Sequence, residues 1–160
     1  MEDENRIVCP IIFKENLLGT ESIYFDVEGE PFAKQRPRAT RKGRFITVYT
    51  PRETKLYEEK VRLAYKKIYG DRVMTGDLTV EVEGFFEPPK SATKTQKELM
   101  LENKIAHTKK PDCDNMAKVC LDALNGVAYH DDASITDLIV SKRYSDTAKV
   151  RITITKNKKI

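Results

Sequence analysis

Between Ser22 and Val27 the apolar residues Ile23, Phe25 and Val27 alternate with polar ones, the period of a strand buried on one face. The alternation returns at Leu78, Val80 and Val82 within Asp77–Phe86, and at Val150, Ile152 and Ile154 within Ala148–Thr155. Phe45–Tyr49 and Thr136–Tyr144 also read as strands, and Asp146-Thr147 predicts a turn joining the last two as a hairpin. Elsewhere the period is helical. Tyr57, Val61, Ala64, Tyr65 and Ile68 form one stripe. Thr50-Pro51-Arg52-Glu53 supplies an expected N-cap, a first-turn proline and a capping box, and Gly70 a stop. Met116, Val119, Cys120, Ala123 and Leu124 mark a second helix over Asn115–Leu124, ended by Asn125-Gly126. A short helix within residues 91–104, with Lys94 and Lys97 outward and Leu99 inward, is either a flap over substrate or a surface insertion.

This pattern predicts an α+β domain over residues 21–160 behind an N-terminal extension, residues 1–20. The extension joins an acidic start, MEDENR, to a short apolar run, IVCPIIF. A chain of 160 residues is one domain by length and buries roughly 68–70% of its unfolded surface. No internal repeat or linker divides it. Nothing approaches the roughly 20 apolar residues of a membrane span, and no targeting segment is evident, so the expected location is the cytoplasm. Cys9, Cys113 and Cys120 match no zinc or redox spacing and read as packing residues in a reducing compartment.

The net charge of +4 decides little until its distribution is seen. Lys34, Arg36, Arg38, Arg41, Lys42 and Arg44 fall within eleven residues that contain no acid. Pro31 and Pro37 keep that segment out of a helix. It is either a solvated loop or a phosphate-binding arm, since Arg forks match phosphate oxygens. The absence of acids favours the arm.

Opposite charge collects in KKPDCDNMAKVCLDALNGVAYHDD, residues 109–132, which holds Asp112, Asp114, Asp122, Asp131 and Asp132 around Lys118. Two carboxylates about 4 Å apart repel by about 4 kcal/mol at an effective dielectric of 20, so such crowding calls for a cation. Oxygen-only donors suit magnesium, manganese or calcium. An EF-hand is excluded, because counting from Asp112 puts Met116, Ala117 and Ala123 where a carboxylate, glycine and glutamate belong. Asp114 is placed at the helix N-cap or in its first turn. Asp114, Lys118 and Asp122 then step by four along the polar face, and the chain returns to Asp131-Asp132.

KPDCDN, the helix with Lys118 and LDALNG, and then HDD resemble the signature of the RusA family of Holliday junction resolvases. Weaker support comes from PFAKQRPR after the first strand and from the last two strands. The resemblance implies an α+β homodimer with a small mixed sheet, a helix N-terminal to it in sequence and a catalytic helix packed on it. It implies symmetric cutting of four-way DNA junctions with magnesium, or manganese in its place, to give a 5′ phosphate and a 3′ hydroxyl. Carried over by position, it makes Asp112, Asp114 and Asp132 the metal ligands and Lys118 the catalytic lysine, with Asp131 assisting. Asp122 is expected to be a structural partner. The basic arm, with Lys109 and Lys110, would bind DNA. Two rivals remain open: a general metal-dependent nuclease without junction selectivity, and a non-catalytic protein that binds DNA structures.

Overall fold

The computed structural model describes residues 21–158, so the extension and Cys9 lie outside the described residues. The elements in chain order are β1 (Ser22–Glu28), β2 (Arg38–Lys42), β3 (Phe45–Tyr49), α1 (Arg52–Tyr69), β4 (Leu78–Phe86), α2 (Lys94–Leu101), α3 (Cys113–Leu124), β5 (Ile135–Tyr144) and β6 (Lys149–Lys156). Four strands form one mixed sheet in the order β1-β6-β4-β5, parallel between β4 and β5 and antiparallel elsewhere. The fold class is α+β as expected, but the helix expected N-terminal to the sheet follows its first strand: α1 comes after β1 and precedes only the other three.

Period-two alternation sorts the sheet into two faces. Ile23, Phe25, Val27, Leu78, Val80, Val82, Val150, Ile152 and Ile154 are buried on one face. There they meet Tyr57, Val61 and Tyr65 of α1, and Met116, Val119 and Cys120 of α3, in a single core. The opposite face is polar. Asp26 of β1 accepts hydrogen bonds from Arg151 at 2.7 and 3.0 Å and from Lys149 at 2.9 Å. Burial alone would raise its carboxyl pKa, but the bonds and charges of Arg151 and Lys149 outweigh that and hold it below the ordinary value.

Two further expectations are corrected. β5 and β6 are not a hairpin: β4 lies between them. Ser145–Ala148 crosses the end of β4, where the Ser145 N–H donates to the Phe86 carbonyl at 2.9 Å. Strands flanking a third lie about 9.6 Å apart, within reach of a four-residue link. The α1 start also differs. Pro51 sits at the N-cap position and no side chain caps the helix, so the capping box expected from Thr50 and Glu53 does not form. A capping box is instead present on α2, between Thr93 and Gln96.

The basic segment forms more structure than expected. β2 pairs with β3 around Gly43, whose φ of 61° is the left-handed conformation that glycine adopts most readily. This separate two-stranded hairpin is exposed along its whole length.

Candidate metal centre and nucleic-acid interface

Helix α3 is set by its apolar face. Met116, Ala117, Val119, Cys120, Ala123 and Leu124 are buried, and burial pushes the Cys120 thiol up to about 12. That leaves Asp114 and Lys118 exposed. The helix begins at Cys113, two residues earlier than its apolar stripe indicates, with Asp112 at the N-cap position in an extended conformation and Asp114 in the first turn. The Asp112 carboxylate makes no capping bond. Among the described residues no ion pair engages Asp112, Asp114 or Lys118. The Lys142 ammonium donates to the carbonyls of Lys109 at 2.7 Å and Pro111 at 3.0 Å, fixing the loop that delivers Asp112.

Asp122, two turns along the same face, has a different task. It pairs with Lys34, which also faces Glu58 of α1 at 3.7 Å. The Lys34 N–H donates to the Asn115 carbonyl at 3.0 Å. Lys34 therefore anchors the start of the basic segment to α3, and its charge is already matched. By contrast, no ion pair among the described residues engages Arg36, Arg38, Arg41, Lys42, Arg44, Lys109 or Lys110. All seven are exposed.

Asp131 and Asp132, indistinguishable by sequence spacing, are separated by their contacts. An Asp131 carboxylate oxygen accepts from the Ala133 N–H at 2.8 Å and caps the 3-10 turn Asp132–Ser134. Asp132 makes no such bond and is exposed. The loop leading to it is tied to α3 by buried Tyr129, whose hydroxyl donates to the Leu121 carbonyl at 2.8 Å. Burial raises the Tyr129 hydroxyl pKa, and the charges of Asp132 and then Asp122 raise it further. Both carboxylates thus lie within electrostatic reach of that hydroxyl. Asp112 and Asp114 stand at the N-terminus of α3. Asp114 and Asp122 are eight residues apart on the helix, a rise of about 12 Å.

No three acidic, imidazole or thiol side chains converge into a metal cage among the described residues. The donor set still fits magnesium. This ion keeps several waters and is commonly held by one or two carboxylates together with substrate phosphate, without an all-protein cage. The Asp112–Asp114 pair offers oxygen donors at a helix N-terminus, where amide groups also favour phosphate.

Several contributors carried no sequence signal. Tyr129, Lys142 and the capping role of Asp131 depend on where loops return. His107 is also buried, stacked on Phe86 with 3.8 Å between ring centroids.

No helix among the described residues is long and apolar enough to cross a membrane. A similar protein is the uncharacterized protein YqaN of Bacillus subtilis (strain 168), 34% identical over 136 residues that cover 84% of this chain and 96% of that one. Residues 28–155, which hold the basic segment, α3 and the acidic turn, match the family model described as endodeoxyribonuclease RusA. With most of its length matched in this way, the chain belongs to the RusA endodeoxyribonuclease family.

Proposed function

We propose that this protein is a Holliday junction resolvase, a homodimeric, magnesium-dependent endodeoxyribonuclease that nicks four-way DNA junctions symmetrically in recombination and repair in the cytoplasm. The observation that carries the reading is the exposed row Asp112, Asp114 and Lys118 on α3, none of it spent on an ion pair within the described fold. Exposed carboxylates repel DNA phosphates unless a cation lies between them.

Asp112 and Asp114 would hold magnesium, or manganese in its place, and Asp132 is the third ligand that the family resemblance implies. When bound, the cation supplies acidified water and positive charge for phosphodiester hydrolysis. The other steps belong to the chain itself. Lys118, one turn from Asp114, either orients the attacking water or neutralises a non-bridging phosphate oxygen. The α3 N-terminus directs amide groups at the same phosphate. Arg36, Arg38, Arg41, Lys42 and Arg44, with Lys109 and Lys110, neutralise flanking phosphates and position the DNA without reading its sequence. Lys34 braces the arm against α3. Asp131 shapes the turn that presents Asp132. Two copies would present two such sites to the paired strands of a junction.

The test is cleavage of a synthetic four-way junction beside linear duplex in magnesium, with wild type and Asp114→Asn. Paired nicks in the junction alone, lost in Asp114→Asn while junction binding persists, are expected. Equal cutting of both substrates would leave a general nuclease. Tight junction binding without cutting in magnesium or manganese would overturn the catalytic reading.

A further inference from the structure

The four-stranded sheet has two edges, and the fold treats them differently. The β1 edge is closed by α1: the Tyr69 hydroxyl donates to the Tyr24 carbonyl at 2.6 Å and accepts from the Tyr24 N–H at 3.1 Å. The other edge strand, β5, is longer, at ten residues against seven. Among the described residues, no backbone group from Thr136 to Arg143 is hydrogen-bonded outside the sheet. Free N–H and C=O groups in a row are a template for another strand.

The side chains do not guard this edge. An edge left to solvent is ordinarily blunted by lysine, proline, a bulge or a covering loop. From Asp137 onward the β5 register with β4 is unbroken. Its lysine, Lys142, is turned to the helix face, where the carbonyls of Lys109 and Pro111 hold the ammonium. Leu138 and Ile139, on opposite faces, are 46% and 51% exposed. Asp137 and Arg143 are exposed on the polar face. Asp137 is in no ion pair among the described residues, and Arg143 reaches Glu83 only at 4.0 Å.

This spacing makes the strand complementary to itself. A two-fold axis through Val140, perpendicular to the sheet, sets the β5 of a second copy antiparallel to the first. Asp137 then lies opposite Arg143 of the second copy, and Arg143 opposite its Asp137. On the helix face, Leu138 lies along the Lys142 stem. Opposite charges facing each other across an antiparallel pair stabilise it, and like charges destabilise it.

We propose that β5 is the seam of the dimer: two copies pair edge to edge about Val140, and their sheets join into one. The proposal rests on the homodimer reading and assigns the surface that makes it. Such an axis leaves both helix faces on the same side. Lys142, two residues from the axis, holds the loop that delivers Asp112, so the two candidate sites flank the axis and face the same way. Symmetric nicking needs that arrangement.

Sedimentation equilibrium of the full-length protein, without metal or DNA, reads the association. Asp137→Arg and Arg143→Asp each set two pairs of like charges across the seam and should weaken self-association by about tenfold or more. Mixed in equal amounts, the two variants complement each other and should pair about as tightly as wild type. Asp137→Arg/Arg143→Asp in one chain should also restore the homodimer. A dimer unchanged by either reversal, or weakened without rescue in the mixture, would overturn the proposal and place the dimer contact elsewhere. A monomeric wild type would overturn the homodimer reading together with it. A junction left uncut in the cleavage test would count against the catalytic reading and leave this result standing.

Discussion

Gly84 offers the sharpest test of how α3 is held. It lies on the buried face of β4, and a Cβ built there would meet the Met116 Sδ at 2.5 Å, the Phe86 ring at 3.0 Å and the Met116 methyl at 3.1 Å. Met116 is fully buried one turn from Asp112. A methionine end on the surface would swing away at little cost, but here the core leaves it nowhere to go. Overpacking of this kind costs about 1–3 kcal/mol. With a urea m-value of about 1.5 kcal/mol/M, a 2 kcal/mol loss moves the unfolding midpoint of Gly84→Ala down by roughly 1.3 M. Met116→Ala opens space where the new methyl arrives, so the double variant should be more stable than the two single effects sum to. A coupling of about 1 kcal/mol or more is expected from a full double-mutant cycle. A Gly84→Ala midpoint within 0.2 M (about 0.3 kcal/mol) of wild type, or additive single effects, would refute the claim that this contact seats the helix.

Other perturbations separate support from chemistry. Asp131→Ala removes a cap and should lose about 0.5–2 kcal/mol in chemical denaturation, whereas Asp132→Ala should leave stability near wild type and abolish junction cutting. Asp26→Asn leaves Arg151 and Lys149 facing each other and should lose roughly 1–3 kcal/mol near neutral pH. Because the folded Asp26 pKa is lowered, that difference is fully present above the ordinary carboxylate value of about 3.9 and closes as pH falls through the folded value. Denaturation of both proteins from pH 7 to pH 3 reads it. Arg38→Ala/Arg44→Ala should leave stability within about 0.5 kcal/mol of wild type per substitution. The salt slope of junction binding should become shallower by about 0.9 for each phosphate that the arm no longer neutralises.

Much of the sheet was legible because one buried face imposes period two, as in β1, β4 and β6. β2 was not, since Arg38–Lys42 is exposed on both faces and leaves no hydrophobic period. Chain adjacency misled the reading of β5 and β6: a short polar link resembles a hairpin turn, and sequence does not reveal that β4 takes the place between them. Exposed Leu138 and Ile139 on β5 fit its position at the sheet edge. In the candidate site, the stepping of Asp114, Lys118 and Asp122 followed from helical geometry alone. The separation of Asp131 from Asp132 did not, because it depends on one backbone N–H. Lys34 belonged to the basic run by composition, yet its ammonium is held by Asp122, 88 positions away.

The central claim is that the N-terminal end of α3 holds a divalent cation against a phosphodiester. Manganese binding, followed by electron paramagnetic resonance with an uncleavable phosphorothioate junction present, tests it most directly. Wild type should bind saturably, Asp112→Asn and Asp114→Asn should each weaken binding by about tenfold or more, and Asp122→Asn should not. Undiminished binding in both Asp112→Asn and Asp114→Asn, or none in wild type, would contradict the account.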